Sequence, residues 1–267
     1  MRFLTSSKFL PVFPIFHGWW IVLIVFLGGV VGFGIGSIGL GVFIPFMSED
    51  LGWSRTAMSV VFTVRALMMG VSGPIVGFVA DRKGGPRLLF VCGGVIAGTS
   101  LLILSQSNHI WQFYLSFGVL WSIGQACFSG QVISGSLVSK WFVRLRGRAF
   151  GLYTMGIPAG GAIFVPLIAM LISWQGWRGA WVSLAILTWL IVIPLSLIIV
   201  RRQPEDIGLL PDGGQKQEEH LNPIASLTET RTSSMAAEEI GWTVTMALRT
   251  PTAWLLLIGF ILSNMAG

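Results

Sequence analysis

The sequence predicts an all-α integral membrane protein, and three observations support this prediction. Hydrophobic residues make up 54% of the 267 residues, whereas charged residues make up only 10%. A soluble domain contains about 25% charged residues. The mean hydropathy is +0.79. Apolar stretches of roughly 20 residues recur along the chain, and each can cross about 30 Å of hydrocarbon as a helix. The lipid bilayer is therefore the expected surroundings of most of the chain.

Six complete spans are predicted before residue 201. They cover about residues 19–47, 56–80, 88–104, 110–138, 149–172 and 180–200. We expect residues 1–17 to form a cytoplasmic tail and residues 18–200 the six-helix bundle. Residues 201–250, rich in Gly, Pro, Ser and Thr, are expected to form a mobile cytoplasmic linker. Residues 251–267 begin a seventh span that is too short to cross a membrane, so we expect a truncated sequence with its second half missing.

The basic residues predict the orientation of these spans. Of the 17 Lys and Arg, 14 fall in the tail, the linker and the loops on one side, two on the other side and one inside a span. Loops rich in Lys and Arg face the cytoplasm, which predicts a cytoplasmic N-terminus in the inner membrane of a cell. The net charge of +6 thus follows from membrane topology, and no nucleic-acid partner is expected.

The sequence favours neither an enzyme nor a cofactor or metal site. Cys92 and Cys127 lie inside apolar spans without metal-ligand spacing. All three histidines fall in tails or loops and no pair of acids falls in a span, which argues against an intramembrane protease. A phosphate-cradling loop and an arginine-repeat helix are also missing, which argues against ATP-driven transport and a voltage-gated channel.

Glycines mark one face of the first span. Gly28, Gly32 and Gly36 are spaced by four residues, so they share a helix face and allow close approach of another helix. Close packing is one interpretation of this face. The other is a bendable helix that lines a cavity.

Arg65 is the single charge inside a complete span. It lies about nine residues into the second span, roughly 13 Å deep at 1.5 Å per residue. A charge at that depth costs about 2.5–3.5 kcal/mol, and no acid in the six spans can neutralise it. Arg65 either binds the carboxylate of an anion, or is satisfied by helix carbonyls and by neighbours such as Gln125 or Tyr153.

A charged turn between the second and third spans carries a family resemblance. Residues 77–89 read GFVADRKGGPRLL, in which Gly84, Gly85 and Pro86 break and restart the helix. The run resembles the signature loop of the major facilitator superfamily, a class of secondary transporters. The matching residues are Gly77, Asp81, Arg82, Gly84 and Arg87. Gly85 stands where that family usually has a basic residue.

Further stretches resemble one branch of that superfamily, the bacterial monocarboxylate and oxalate/formate antiporter-like transporters. They are HGWWIV at 17–22, LGWSR at 51–55, SKWFVRLRGRAFG at 139–151, QGWR at 175–178 and RRQPEDIGLLPDG at 201–213. The resemblance implies the N-terminal half of the fold, built as two inverted three-helix repeats, and alternating access driven by a proton or substrate gradient. It implies a small organic anion as the substrate. Export of a drug or another hydrophobic solute, and a sensor or assembly partner without transport, remain alternatives.

The resemblance also assigns roles to residues at the loops. Asp81 and the surrounding residues are implied to latch the two halves of the transporter, with Arg144 and Arg148 extending the network. The alternative is a loop that only fixes the orientation in the membrane.

Two spans are singled out by their motifs. In the fifth, Gly156, Pro158, Gly160 and Gly161 form a variant of a family motif and predict packing and a kink. In the fourth, Leu120 stands where proton-coupled members often carry Arg. This span offers Trp121 and Gln125 instead, and we count both with Arg65 and Tyr153 as candidate substrate-binding residues.

Overall fold

The computed structural model describes residues 16–209, Asp212 and Thr250, and the elements in this part of the chain are helical. The first half contains α1 His17–Phe33, a π-helical segment π1 Gly34–Gly39, α2 Leu40–Leu51, α3 Arg55–Ala80 and α4 Gly85–Ser105. The second half contains α5 Ile110–Phe113, π2 Tyr114–Leu120, α6 Trp121–Phe128, α7 Gln131–Trp141, α8 Arg146–Thr154, α9 Gly156–Ile199 and a 3-10 helix Pro204–Ile207. The predicted tail up to residue 15, most of the linker and the seventh span lie outside the described residues.

The helices of residues 16–209 form the six predicted spans. Four continuous stretches are long and apolar enough to cross a membrane: His17–Leu51, Arg55–Ala80, Gly85–Ser105 and Arg146–Ile199. Gly176 has φ 72° and ψ 171° and divides the last stretch into spans 5 and 6. Span 1 is α1, π1 and α2, span 2 is α3, and span 3 is α4. Span 4 runs from α5 through α7 and is interrupted at Ser129 and Gly130.

The short turns between spans contain the residues that their geometry requires. Gly52, in the left-handed region with φ 67°, ends α2. The Oγ of Ser54 accepts a hydrogen bond from the amide of Ala57 at 3.1 Å and so caps α3. Gly84 has φ 75°, and Pro86 follows in the first turn of α4. The break and restart predicted at this turn are therefore confirmed.

Glycines bring span 1 into close contact with two other spans. A Cβ on Gly28 would lie 2.7 Å from the carbonyl oxygen of Phe128 in span 4, so no larger residue fits there. Next to this face, Gly156 and Gly160 of α9 approach the backbone of span 1 equally closely. Small residues allow such backbone contact in membrane helices. The predicted packing role of the Gly28, Gly32 and Gly36 face is confirmed.

The bundle has two ends that differ in charge. We call the end with the loops at 81–84 and 142–145 the basic end, because most of the described Lys and Arg lie there. The opposite end holds the turns at 52–54, 106–109 and Gly176. Between the two ends, the interior is filled by aromatic and aliphatic side chains, among them Phe43 stacked on Trp181 with ring centroids 3.7 Å apart.

Candidate functional site

Arg65 occupies the middle of the bundle. It is the eleventh residue of α3, about 15 Å from the start of the helix at 1.5 Å per residue. Only 5% of its surface is exposed, although α3 leaves most of its other side chains at the bundle surface. The side chain therefore points into the bundle, as expected for an ionisable residue at this depth.

Residues of two other spans surround the guanidinium. Nη1 donates a hydrogen bond to the carbonyl oxygen of Gly36 in π1. Nη2 donates to Oε1 of Gln125 in α6 at 2.7 Å. The ring of Phe117 in π2 lies 5.2 Å from Cζ, within the range of a cation–π contact. Both π-helical segments thus contribute to the site, and such segments are frequent at functional sites.

The contacts given for the described residues leave the charge of Arg65 without a counter-ion. The two ion pairs in this part of the chain lie at the ends of the bundle, Lys140 with Asp81 at 2.9 Å and Arg178 with Asp50 at 3.8 Å. Arg65 instead has a carbonyl, an amide and an aromatic ring as partners. Nη1 and Nη2 thus each donate one hydrogen bond to a neutral oxygen, and no acidic side chain among the described residues neutralises the positive charge.

Further buried polar atoms of Arg65 and of α6 have no hydrogen-bond partner within the described residues. They include Nε of Arg65, Nε1 of Trp121, Nε2 of Gln125 and Oγ of Ser122. Trp121, Ser122 and Gln125 are fully buried. A buried polar group without a partner is rare in a native protein and requires an explanation.

Span 4 is broken one turn beyond these residues. Ser129 ends α6 with φ −134° and ψ 3°, and Gly130 has an extended conformation before α7. Both residues are buried. Non-helical backbone at membrane depth is tolerated only where protein or a cavity shields it, and broken helices often form the sites of transporters.

The structure brings together three of the four candidate binding residues. Arg65 contacts Gln125 directly, and both lie beside Gly36 together with Trp121. Tyr153 lies in α8, where its ring packs 5.2 Å from that of Phe150, and the contacts of the described residues do not join it to Arg65. Gly36 and Phe117 are neighbours of Arg65 that the sequence did not predict. The glycine spacing already placed Gly36 on a packing face, but nothing in the sequence indicates that its carbonyl accepts from Arg65.

The residues implied in the latch lie at the basic end. Oδ1 of Asp81 accepts a hydrogen bond from Nζ of Lys140 at 2.9 Å, which joins the loop after span 2 to the end of span 4. Arg82 stacks over the ring of Phe78 at 4.4 Å. The other residues lie within one or two turns of this end, Gly77 in α3, Gly84 before α4, Arg87 in the first turn of α4, Arg144 before α8 and Arg148 in α8. In this structure Asp81 therefore has a partner within the six-span bundle.

Asp212 also lies at the basic end, where it joins the beginning of the predicted linker to the loop between spans 4 and 5. Its carboxylate accepts hydrogen bonds from the amides of Val143, Arg144 and Leu145, at 3.0, 2.6 and 3.2 Å. These amides precede α8 and point towards the residue at the start of the predicted linker. Partial burial alone would raise the pKa of Asp212, but the three amides and the charge of Arg144 hold this pKa below its ordinary value.

The residues predicted to kink span 5 lie where α8 meets α9. Met155 joins the two helices with φ −60° and ψ −18°, within the helical region, and Pro158 falls in the first turn of α9. Gly156 and Gly160 serve the backbone contact with span 1, and Gly161 faces the side chain of Ile38. The packing of these glycines is observed, and the kink at this motif stays a prediction.

Six apolar spans around a buried, unneutralised cation are typical of one half of a membrane transporter. The family model of the Major Facilitator Superfamily matches residues 24–267. The chain belongs to this superfamily, and it is a multi-pass membrane protein.

Named relatives within the superfamily differ in what they carry. The chain is 34% identical to the Fujikurins efflux protein of Gibberella fujikuroi, over 53% of this chain and 30% of that protein. It is 28% identical to monocarboxylate transporter 13 of Rattus norvegicus, over 61% and 37%. It is 27% identical to the uncharacterized MFS-type transporter YcxA of Bacillus subtilis, over 70% and 45%. The chain thus spans less than half the length of these curated relatives.

Two solved structures share the fold. A bacterial homologue of the human lysosomal transporter Spinster matches with a TM-score of 0.55 and 17% identity, over 81% of this chain and 48% of the other. PepTSo2 matches with a TM-score of 0.58 and 17% identity, over 83% and 48%. The resemblance of the sequence to the superfamily and the predicted partial transporter fold are therefore confirmed.

Proposed function

We propose that this protein is part of a secondary active transporter of small organic anions, monocarboxylates or dicarboxylates. The observation that carries the proposal is Arg65, which is buried at the middle of the bundle and has neutral partners only among the described residues. Keeping a cation there is costly, and an intramembrane charge of this kind marks a substrate or ion pathway. An anion that binds next to Arg65 would offset that cost.

Carboxylates fit the chemistry of this site. A guanidinium presents parallel N–H groups that match the two oxygens of a carboxylate, and such charge-assisted bonds are about twice as strong as neutral ones. Arg65 now uses Nη1 and Nη2 for neutral oxygens, so a carboxylate that replaced them would bind in the same directions. Among the curated relatives, the name of monocarboxylate transporter 13 agrees with this class of substrate.

The transport cycle that we propose is alternating access. The six-span bundle, as two inverted repeats, rocks against a second half around the site, and the energy comes from a proton or substrate gradient. The basic end lies on the cytoplasmic side of the cell membrane, because loops rich in Lys and Arg remain in the cytoplasm. The role is transport, with no catalysed reaction and no cofactor.

Export of another solute is the second candidate function. The relative at 34% identity is named an efflux protein, which favours export over uptake for at least some members of this group. An uncharged hydrophobic drug would not form an ion pair with Arg65. The charge of the transported substrate therefore distinguishes the anion transporter from the drug exporter.

Uptake into proteoliposomes tests the proposal. We expect saturable uptake of labelled lactate, pyruvate, formate or oxalate, and a loss of about 30-fold or more for Arg65→Gln, because an unpaired carboxylate would be buried. Arg55→Gln is the matched control, since Arg55 lies on the same helix but is exposed. Unchanged anion uptake in a correctly inserted Arg65→Gln variant would refute the site. Efflux of ethidium without any anion uptake would favour the exporter.

A further inference from the structure

Spans 3 and 6 run antiparallel, and two glycines of span 3 fix the register between them. A Cβ built on Gly94 would lie 2.9 Å from Cγ1 of Val192, and one built on Gly98 would collide with the indole of Trp189. A step towards the basic end along span 3 therefore corresponds to a step forward along span 6. When this register is continued to the basic end, the first turn of span 3 lies level with the residues that follow Ile199.

Three arginines lie at this level. Arg87 is in the first turn of α4, and Arg201 and Arg202 follow the end of α9. All three are only partly exposed. Neither ion pair in the described part of the chain includes any of them. Because these arginines are at the ends of two spans, they lie at the surface of the membrane.

The charges of Arg87 and Arg201 act against each other. Burial lowers the pKa of Arg201 below its ordinary value, and the charge of Arg87 lowers this pKa further. The charge of Asp206 raises it, but more weakly than either. Nε of Arg202 is buried and has no hydrogen-bond partner within the described residues. Like charges that are partly buried together are unfavourable unless an anion lies near them.

Apolar surface lies next to these arginines, deeper in the membrane. Phe90 of span 3 and Leu195 of span 6 line an apolar groove together with residues of span 1. Leu88 and Ile198, which are close to the arginines in sequence, have exposed fractions of 58% and 61%. Side chains of this kind face lipid in a membrane-spanning helix. A membrane lipid has the matching arrangement, with a polar head group at the surface and apolar chains below it.

We propose that Arg87, Arg201 and Arg202 bind the phosphate group of one anionic membrane lipid, whose acyl chains lie against the apolar surface of spans 3 and 6. Guanidinium groups bind phosphate oxygens in pairs of parallel hydrogen bonds. Basic pockets between membrane helices on the cytoplasmic side bind lipid head groups. A free phosphate ion shares the polar contacts but gains nothing from the apolar surface, so the occupant is a lipid.

The bound phosphate would join the start of span 3 to the end of span 6. It would place a negative charge between Arg87 and Arg201, where the described residues supply no ion pair. The lipid is therefore expected to stabilise the packing of these two spans. The proposal is independent of the transported substrate, because Arg65 lies in the middle of the bundle and these arginines lie at its end.

Thermal unfolding of the purified protein in detergent tests the site. Dioleoylphosphatidylglycerol should raise the unfolding midpoint, whereas dioleoylphosphatidylcholine, with the same chains and no net charge, should not. In the double variant Arg201→Gln, Arg202→Gln, half-maximal stabilisation should require about tenfold more phosphatidylglycerol, since two of the three guanidinium groups are lost. The matched control is Lys83→Gln, Arg146→Gln, which removes the same charge from exposed positions at the same end.

Arg87→Gln tests the site from the other span. It should also raise the phosphatidylglycerol concentration needed for half-maximal stabilisation, by several-fold, because one of three guanidinium groups is lost. This variant decides the test if the double variant does not fold. A response of Arg87→Gln equal to that of the wild type would then overturn the proposal.

The remaining outcomes identify what is bound. An equal loss in the double variant and in its control would show that the basic end attracts anionic lipid as a whole, and would refute the site. Equal stabilisation by the two lipids would refute recognition of an anion. Equal stabilisation by sodium phosphate without lipid would assign the site to a free ion and refute the lipid. Uptake of organic anions through Arg65 is measured separately, so a failure here leaves the proposed function standing.

Discussion

The charged group in the interior and the carboxylates at the basic end differ in whether they have partners that stabilise their charge. Arg65 is 5% exposed and has only neutral partners in the described residues, although a charge is most expensive at that depth. At the basic end, Asp81 is paired with Lys140 and Asp212 with three backbone amides, although water would solvate these carboxylates well. Carboxylates are thus paired at the exposed end of the bundle, where water would stabilise them anyway, and the charge of Arg65 is not paired among the described residues.

This difference indicates what each set of charges does. Ion pairs and capped amides at the basic end fix the loops to one another and have partners within the chain. The unneutralised guanidinium agrees with the proposed function, in which the counter-ion of Arg65 is the transported anion. Five variants at four sites test this interpretation, and the sites are taken from the largest expected effect to the smallest.

Arg65→Met should separate transport from stability most strongly. We expect anion uptake to fall by about 30-fold or more. The midpoint of thermal unfolding should stay the same or rise, because replacing buried charge by an apolar side chain of similar length removes a desolvation cost. Both quantities can be measured on the same purified protein. A large fall in the unfolding midpoint would instead make Arg65 a structural cross-link between spans 1, 2 and 4.

Gly36→Ala should damage the site through its geometry. The added methyl group would collide with the rigid indole of Trp121 as well as with the guanidinium of Arg65. Overpacking of this kind costs about 1–3 kcal/mol in unfolding free energy, and we expect uptake to fall at least about tenfold. Gly41→Ala is the matched control, because no heavy atom lies within 4 Å of the position of its Cβ. Equal effects of the two substitutions would contradict the prediction.

Asp212→Ala should release the amides that precede α8. Hydrogen exchange at Val143, Arg144 and Leu145 should become about tenfold faster, since each amide loses its acceptor.

The pH dependence of this contact provides an internal check. The pKa of Asp212 is held below its ordinary value. The contact is therefore fully formed above the ordinary pKa of about 3.9, and it is lost as the pH falls through the lower value of the folded protein. The difference in exchange between wild type and Asp212→Ala should disappear in that acidic range. A difference that persists at low pH would show that the carboxylate charge is not what holds these amides.

Lys140→Met should have the smallest effect on stability. The side chain of Asp81 is 72% exposed, and such exposed pairs contribute about 0–1 kcal/mol. If Asp81 takes part in a latch, Asp81→Asn should change the rate of uptake several-fold without changing KM, whereas Lys140→Met leaves the rate near that of the wild type. Unchanged uptake in both variants would favour a loop that only sets the orientation.

Much of the fold could be predicted from sequence because lipid imposes simple rules. Apolar length predicts the spans, and glycines with positive φ at Gly52, Gly84 and Gly176 lie in the turns between them for reasons of local backbone conformation. The π-helical segments and the interruption at Ser129 were not predicted. They depend on what packs against spans 1 and 4, and hydrophobicity hardly changes across them.

The candidate site was predicted in part. Arg65 stands out because it is a charge within an apolar run, and Gln125 and Trp121 are polar or amphipathic residues of a neighbouring span. Tyr153 was grouped with them on the same grounds, but in the structure its ring packs against Phe150. The sequence gives no distance between spans, so it cannot separate polar residues that meet from those that do not.

The sequence by itself determined that the chain crosses a membrane repeatedly, that its basic loops share one side and that Arg65 is a costly interior charge. These properties follow from composition and from the order of residues along one helix. Only the tertiary structure decided that Arg65 meets Gly36, 29 residues away, and Gln125, 60 residues away. Such contacts arise from the packing of whole helices, in which each glycine, indole and amide sets the space that is left for the others.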